Sequence, residues 1–188
     1  MREIMPLPTP VKRDPIQTRE ITVSAFRRDD NNWDIEGHLI DLAAYDIPNG
    51  YRGIIPAGTP IHDMKIRITL NSKVEIIDIQ LDMDAHPYEV CPGVIPSFKK
   101  LKGEKIERGW NRKLKEIVGG VNGCVHVVDL LRPVGTIGFK TVKREAGQDS
   151  TLKEDRKDKS PYQINTCHAL SSAGPIVKSR WPDLYTGD

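Results

Sequence analysis

The chain is short of aromatic residues, at 6% of 188, and it has only three cysteines and no long apolar run. Each shortage excludes something. No stretch nears the roughly 18 consecutive apolar residues of a membrane-spanning helix, so no membrane partner is expected. The first twenty residues are interrupted by Pro6, Pro8, Pro10 and Pro15. They show no apolar core of a secretory signal, which points to the cytoplasm. Three cysteines without regular spacing do not make a disulfide framework, and in a reducing compartment their thiols stay free for metal or chemistry. An excess of one charge is also lacking, because 28 Lys+Arg against 26 Asp+Glu leave +2. That balance gives no reason to expect nucleic acid.

What is present is enough for a core. The hydrophobic share is 38%, and a chain of this length normally makes one domain that buries roughly 70% of its extended surface. Residues 1–17 read as a flexible Pro-rich arm and 18–188 as a single domain. Ile21, Val23 and Ala25 alternate with Thr22 and Ser24, Asp29–Asn32 is turn chemistry, and Trp33, Ile35 and Leu39 mark the return strand. A second hairpin is clearer. Met64, Ile66, Ile68 and Leu70 alternate with polar residues, Asn71-Ser72 turns, and Ile77, Ile79, Leu81 and Met83 alternate again. Such alternation predicts antiparallel strands with one buried face.

Helices follow. A short one is predicted over 95–101 and a second over 105–118, with Ile106, Trp110, Leu114 and Ile117 on one face. A third begins near Asn122, with a kink expected at Pro133. Residues 143–161, dense in charge, read as a solvated helix end and a mobile loop. Strands first and helices second define the α+β class, an antiparallel sheet with helices packed on one face.

The chemistry-bearing residues sit at element ends. His62 and Asp63 open the second hairpin, Cys91 follows its last strand, Cys124 and His126 lie where the third helix starts, and Cys167 is in the tail with His168. The two ends of a hairpin lie side by side, so His62 and the segment before Cys91 share one end of the sheet. A helix packed back across the sheet can bring Cys124 to that end, where the helix N-terminus favours a thiolate. Imidazole and thiolate together suit zinc or iron better than magnesium or calcium. The candidate ligands are His62, Asp63, Cys91, Cys124, His126 and Cys167. A second reading makes Cys124 or Cys91 a nucleophile for acyl or sulfur transfer, with His62 or His126 as base. A third is a non-catalytic module that binds a protein partner.

Two resemblances bear on these residues. The pieces Arg27–Asp30, Trp33–Gly37, Leu39–Asp41, Gly58–Met64, Pro87–Pro92, Gly109-Trp110, Gly123–His126, Cys167-His168 and Trp181-Pro182 resemble a bacterial family known only as a domain of unknown function. That likeness runs from about 18 to 186 and implies no activity. Residues about 55–135 are similar in layout to the iron–sulfur scaffold proteins of the NifU, IscU and SufU type. There a Cys-Gly-Asp precedes a hairpin, a second Cys follows it and a third opens a later helix. His62-Asp63, Cys91 and Cys124 would stand at those places, and Leu101–Glu104 would stand at a Lys-Gly turn. The resemblance implies an IscU/SufU-like fold with an extra N-terminal hairpin. His62 in place of the first thiolate departs from the pattern, since a transient cluster normally uses three thiolates.

Overall fold

The computed structural model describes residues 8–148 and 164–188. The chain divides into two compact units, Met1–Glu145 and Ala146–Asp188.

The first unit is built on a four-stranded antiparallel sheet. Strands β1 (Gln17–Arg27), β2 (Trp33–Ala43), β5 (Pro60–Leu70) and β6 (Ile76–Ala85) lie in the order β1-β2-β5-β6. A small hairpin, β3 (Ile47–Asn49) with β4 (Gly53–Ile55), is inserted between β2 and β5. Alternation in the sequence becomes alternation in burial. Along β2 every second residue from Trp33 to Ala43 is buried, and β5 buries Met64, Ile66, Ile68 and Leu70 on the same face. The opposite face carries ion pairs instead, Arg67 with Glu36 and Lys65 with Asp84. A sheet that is apolar on one face only has to be covered there, and the helices cover it.

The second hairpin departs from simple alternation near its turn. The β5–β6 register shifts between Thr69 and Leu70, so that Leu70 pairs with Ile76 while Thr69 pairs with Asp78. Ile77 is the extra residue of this bulge and is exposed, while Ile76 is buried in its place. The expected inward position of Ile77 is therefore corrected by one bulge.

The helical half differs from expectation in its boundaries. A 3-10 helix runs over Cys91–Leu101, starting earlier than the predicted 95, with Pro92 in its first turn where a missing N–H costs nothing. Helix α1 spans Trp110–Val118 and not 105–118. Residues before it are held in an extended course by Gly103 N–H to Ile76 O, Ile76 N–H to Glu104 O and Ile106 N–H to Val74 O. Ile106 is buried all the same, but from an extended segment and not from a helix. Helix α2 spans Val125–Gln148 and continues through Pro133. Of the predicted charged loop, 143–148 are helical, and 149–161 lie outside the described residues. The arm's residues 1–7 also lie outside them; residues 8–16 are exposed and without regular structure.

Helix α2 crosses the sheet at very close range. A Cβ on Gly37 would sit 2.5 Å from Val134 Cγ2 and 3.0 Å from Leu130 Cδ1. Gly37→Ala is therefore expected to lower stability by about 1–3 kcal/mol, as overpacking does. A denaturant midpoint unchanged from wild type would contradict the close approach.

In the second unit, helix α3 (Pro175–Arg180) buries Val177. It is flanked by single 3-10 turns at His168–Leu170 and Pro182–Leu184. Asn165 Oδ1 accepts the Ser172 N–H, and the Thr186 hydroxyl bonds Ser172 Oγ. Among the described residues of the chain, no helix is long and apolar enough to cross a membrane.

Candidate metal centre

A carboxylate on the apolar face of a strand is costly unless it is paired. Asp41 is such a group. It shares the buried face of β2 with Leu39 and Ala43 and is 1% exposed. Register places Arg19 of β1 opposite it on one side and His62 of β5 opposite it on the other. The three form a row across three strands. Arg19 donates from Nε to Oδ1 at 2.7 Å and from its Nη2 to Oδ2 at 2.9 Å, and it also donates to Asp129 of α2 at 3.1 Å. This two-pronged contact fixes the carboxylate plane.

The fourth member arrives from the helix side. The chain leaves α1 through Gly119 and Gly123. A Cβ on Gly123 would overlap the Val118 carbonyl, so the close turn requires glycine there. Cys124 follows, and α2 begins at Val125. This start carries His126 onto His62, with ring centroids 3.6 Å apart and planes 29° from parallel. His62 Nδ1 lies 3.0 Å from Asp41 Oδ2, and His126 Nε2 lies 3.8 Å from the same oxygen. One ligand atom from each of Asp41, His62 and His126 falls within 4.8 Å of the others.

The protonation states follow from the surroundings. Burial pushes the Asp41 carboxyl up, but the hydrogen bonds and charge of Arg19 and the field of the two histidines outweigh it, so the net shift is down and the group is ionised. Burial is also the main influence on His62. Together with the neighbouring His126 it holds that imidazole down to about 4, against the pull of Asp41 in the other direction. His126 is lowered as well, first by burial. At neutral pH the cluster is thus one anionic carboxylate and two neutral imidazoles. An ionised carboxylate only accepts, so the His62 nitrogen facing Asp41 is the one bearing hydrogen.

Other candidates are placed elsewhere. Cys124 Sγ lies 3.7 Å from His126 Nδ1, so the two nitrogens of His126 face different groups. Residues two apart within a helix do not face each other. These two meet because Cys124 stands just before the helix. Asp63 follows His62 along β5 and so takes the opposite face of the sheet, where its Oδ1 lies 2.6 Å from His38 Nε2. Cys91 opens the 3-10 helix and packs at the margin of the core. Cys167 is exposed in the second unit. Among the described residues, no cysteine and no Asp63 belongs to the converging group.

Asp41 and Arg19 were not among the sequence candidates. The signal was available in strand parity. Arg19 continues the odd-numbered run of Ile21, Val23 and Ala25, and Asp41 continues that of Trp33, Ile35 and Leu39. A charged residue on the apolar parity of a strand asks for a partner or a function.

The family described as "Protein of unknown function (DUF2889)" matches residues 17–140. That is about two thirds of the chain, and the chain belongs to this family. The matched span contains Arg19, Asp41, His62, Cys91, Cys124 and His126, and it ends before Cys167-His168 and Trp181-Pro182. No curated protein and no solved structure matches the chain.

Proposed function

We propose that this protein binds a single divalent transition-metal ion, zinc or iron, through Asp41, His62 and His126. The carrying observation is the convergence of one ionised carboxylate and two neutral imidazoles from two strands and a helix, all within 4.8 Å. Two imidazoles and a carboxylate are a donor set used for catalytic zinc and for non-haem iron, with positions left open for water or substrate. Metal bonds of about 2.0–2.2 Å put ligand atoms about 3–3.5 Å apart, and the 3.0 and 3.8 Å separations to Asp41 Oδ2 bracket that range. The ion takes the place of the hydrogen between His62 and Asp41, and the neutral imidazole binds it as the other tautomer, with its hydrogen on Nε2.

In this arrangement Cys124 lies behind His126 and Arg19 behind Asp41. Each would orient a ligand without touching the ion, the usual work of outer-shell partners. The site favours a mononuclear centre over iron–sulfur assembly, because none of its three converging groups is a thiolate. Purified protein stripped with chelator and titrated with zinc or iron(II) should take up about one ion per chain. Asp41→Asn should not take it up. Unchanged uptake by that variant would overturn the assignment.

A second reading is favoured by one distance, the 3.7 Å between Cys124 Sγ and His126 Nδ1. Cys124 would be the nucleophile and His126 its base, with Asp41 beyond. This reading expects rapid alkylation of Cys124 by iodoacetamide in metal-free protein. His126→Ala should slow it by about tenfold or more, the lower end of what a positioned base contributes. Equal rates in the two proteins would remove it.

A further inference from the structure

We infer that β1 is a dimerisation edge, and that its occupant is β1 of a second copy of this chain. The argument begins with the contrast between the two edges of the sheet. Strand β6 is protected. Residues 103–106 bond along its start, the 3-10 helix over Cys91–Leu101 packs against it, and two register shifts break its line against β5. Asp78, Asp82 and Asp84 also add charge along it. These are the devices by which sheet edges are kept from pairing.

Strand β1 carries charge at Arg19, Glu20 and Arg27, but among the described residues it has neither the cover nor the register breaks. Its eleven residues pair with β2 in unbroken register from Gln17–Ala43 to Arg27–Trp33. Its sequence, Gln-Thr-Arg-Glu-Ile-Thr-Val-Ser-Ala-Phe-Arg, contains no proline, glycine or lysine. Nine of its eleven residues are exposed, among them Ile21 at 41% and Phe26 at 49%. Among the described residues, β1 is hydrogen-bonded within the sheet on one side only, to β2. Along an antiparallel edge, alternate residues therefore turn both N–H and C=O outward. A long, straight edge with apolar side chains is a template for another strand.

The strand's own sequence fits that role. In an antiparallel pair of two β1 strands, the register that overlaps all eleven residues puts Thr22 on the two-fold axis. Ile21 then faces Val23 of the second copy, Thr18 faces Phe26, Arg19 faces Ala25, Glu20 faces Ser24 and Gln17 faces Arg27. Apolar residues meet at the centre and no like charges oppose each other. Sliding one strand by two residues to bring Val23 onto the axis would set Arg19 against Arg27, a repulsive pair. The full-overlap register is thus self-complementary, as an isologous interface requires. The two sheets become one of eight strands, and the first-unit helices of both copies lie on the same side of it.

The test uses the position on the axis. Thr22 is exposed and lies on the sheet face opposite Ile21 and Val23, so a charge there is compatible with the folded protomer. Light scattering on the full chain at tens of micromolar should give the mass of a dimer. Thr22→Lys alone, and Thr22→Glu alone, each oppose a like charge to itself and should weaken self-association by about tenfold or more. An equimolar mixture of the two should restore the dimer as a heterodimer. Circular dichroism of both variants should match wild type. A monomeric wild type overturns the proposal. A wild-type dimer that survives Thr22→Lys intact also overturns it, because the contact then lies elsewhere.

Discussion

Asp41→Ala is expected to destabilise the metal-free protein by about 2–3 kcal/mol and to remove metal binding altogether. Breaking a buried ion pair by deleting one partner typically costs 3–5 kcal/mol, because the remaining charge stays desolvated and unpaired. The lower figure applies because Arg19 is 34% exposed and keeps its contact with Asp129 at 3.1 Å. Two donors nevertheless lose their acceptor together, the Arg19 guanidinium and the His62 ring nitrogen at 3.0 Å. Asp41→Asn separates the two effects. It keeps the volume and one acceptor oxygen, so more of the stability should survive, while the anionic ligand is gone. Urea unfolding in chelator reads the first effect, and calorimetric titration with zinc reads the second. Wild-type stability in Asp41→Ala would mean that the row across the three strands carries no weight.

The second large effect is a loss of stability in mild acid. The His62 imidazole sits at about 4 in the folded protein against an ordinary 6.5. Between those values the unfolded chain takes up a proton that the folded site resists. The contribution is therefore complete above pH 6.5, is lost as pH falls toward 4, and changes little below that. Between pH 7 and pH 5 it amounts to about 2 kcal/mol, from 1.36 kcal/mol per pKa unit. His126, shifted in the same direction by burial, adds to the slope. The Asp41 carboxyl, held below its ordinary 3.8, contributes only further down and in the same sense. Urea midpoints measured in chelator at pH 7 and pH 5 give the size of the effect. His62→Gln should flatten the dependence, and a dependence as steep in the variant as in wild type would place the cause elsewhere.

Much of the scaffold was legible because it rests on alternation. The odd-numbered apolar residues of β2 and the even-numbered ones of β5 each name a buried face, and the hairpin geometry correctly put His62 and residue 85 at the same end, where Asp63 pairs with Ala85. What was not legible depends on partners distant in sequence. Ile106 has a helical spacing to Trp110, yet backbone bonds to β6 and to Val74 keep it extended. At the candidate site, histidines were found because they stand out as residue types. Asp41 and Arg19 are common residue types, and they become conspicuous only when strand parity is followed to its end. Asp63 illustrates the converse. It adjoins His62 in sequence, but a step of one residue along a strand is a step through the sheet.

The hairpin formed by β3 and β4 stands between the strands that supply Asp41 and His62. Strands β2 and β5 are tied to each other from Trp33–Leu70 to Leu42–Pro60, so the spacing of the two side chains does not depend on how long the intervening chain is. Doubling such a loop adds only about 0.6 kcal/mol of closure entropy. The segment 47–55 is thus a cassette carried between two strands whose own pairing sets where Asp41 and His62 stand.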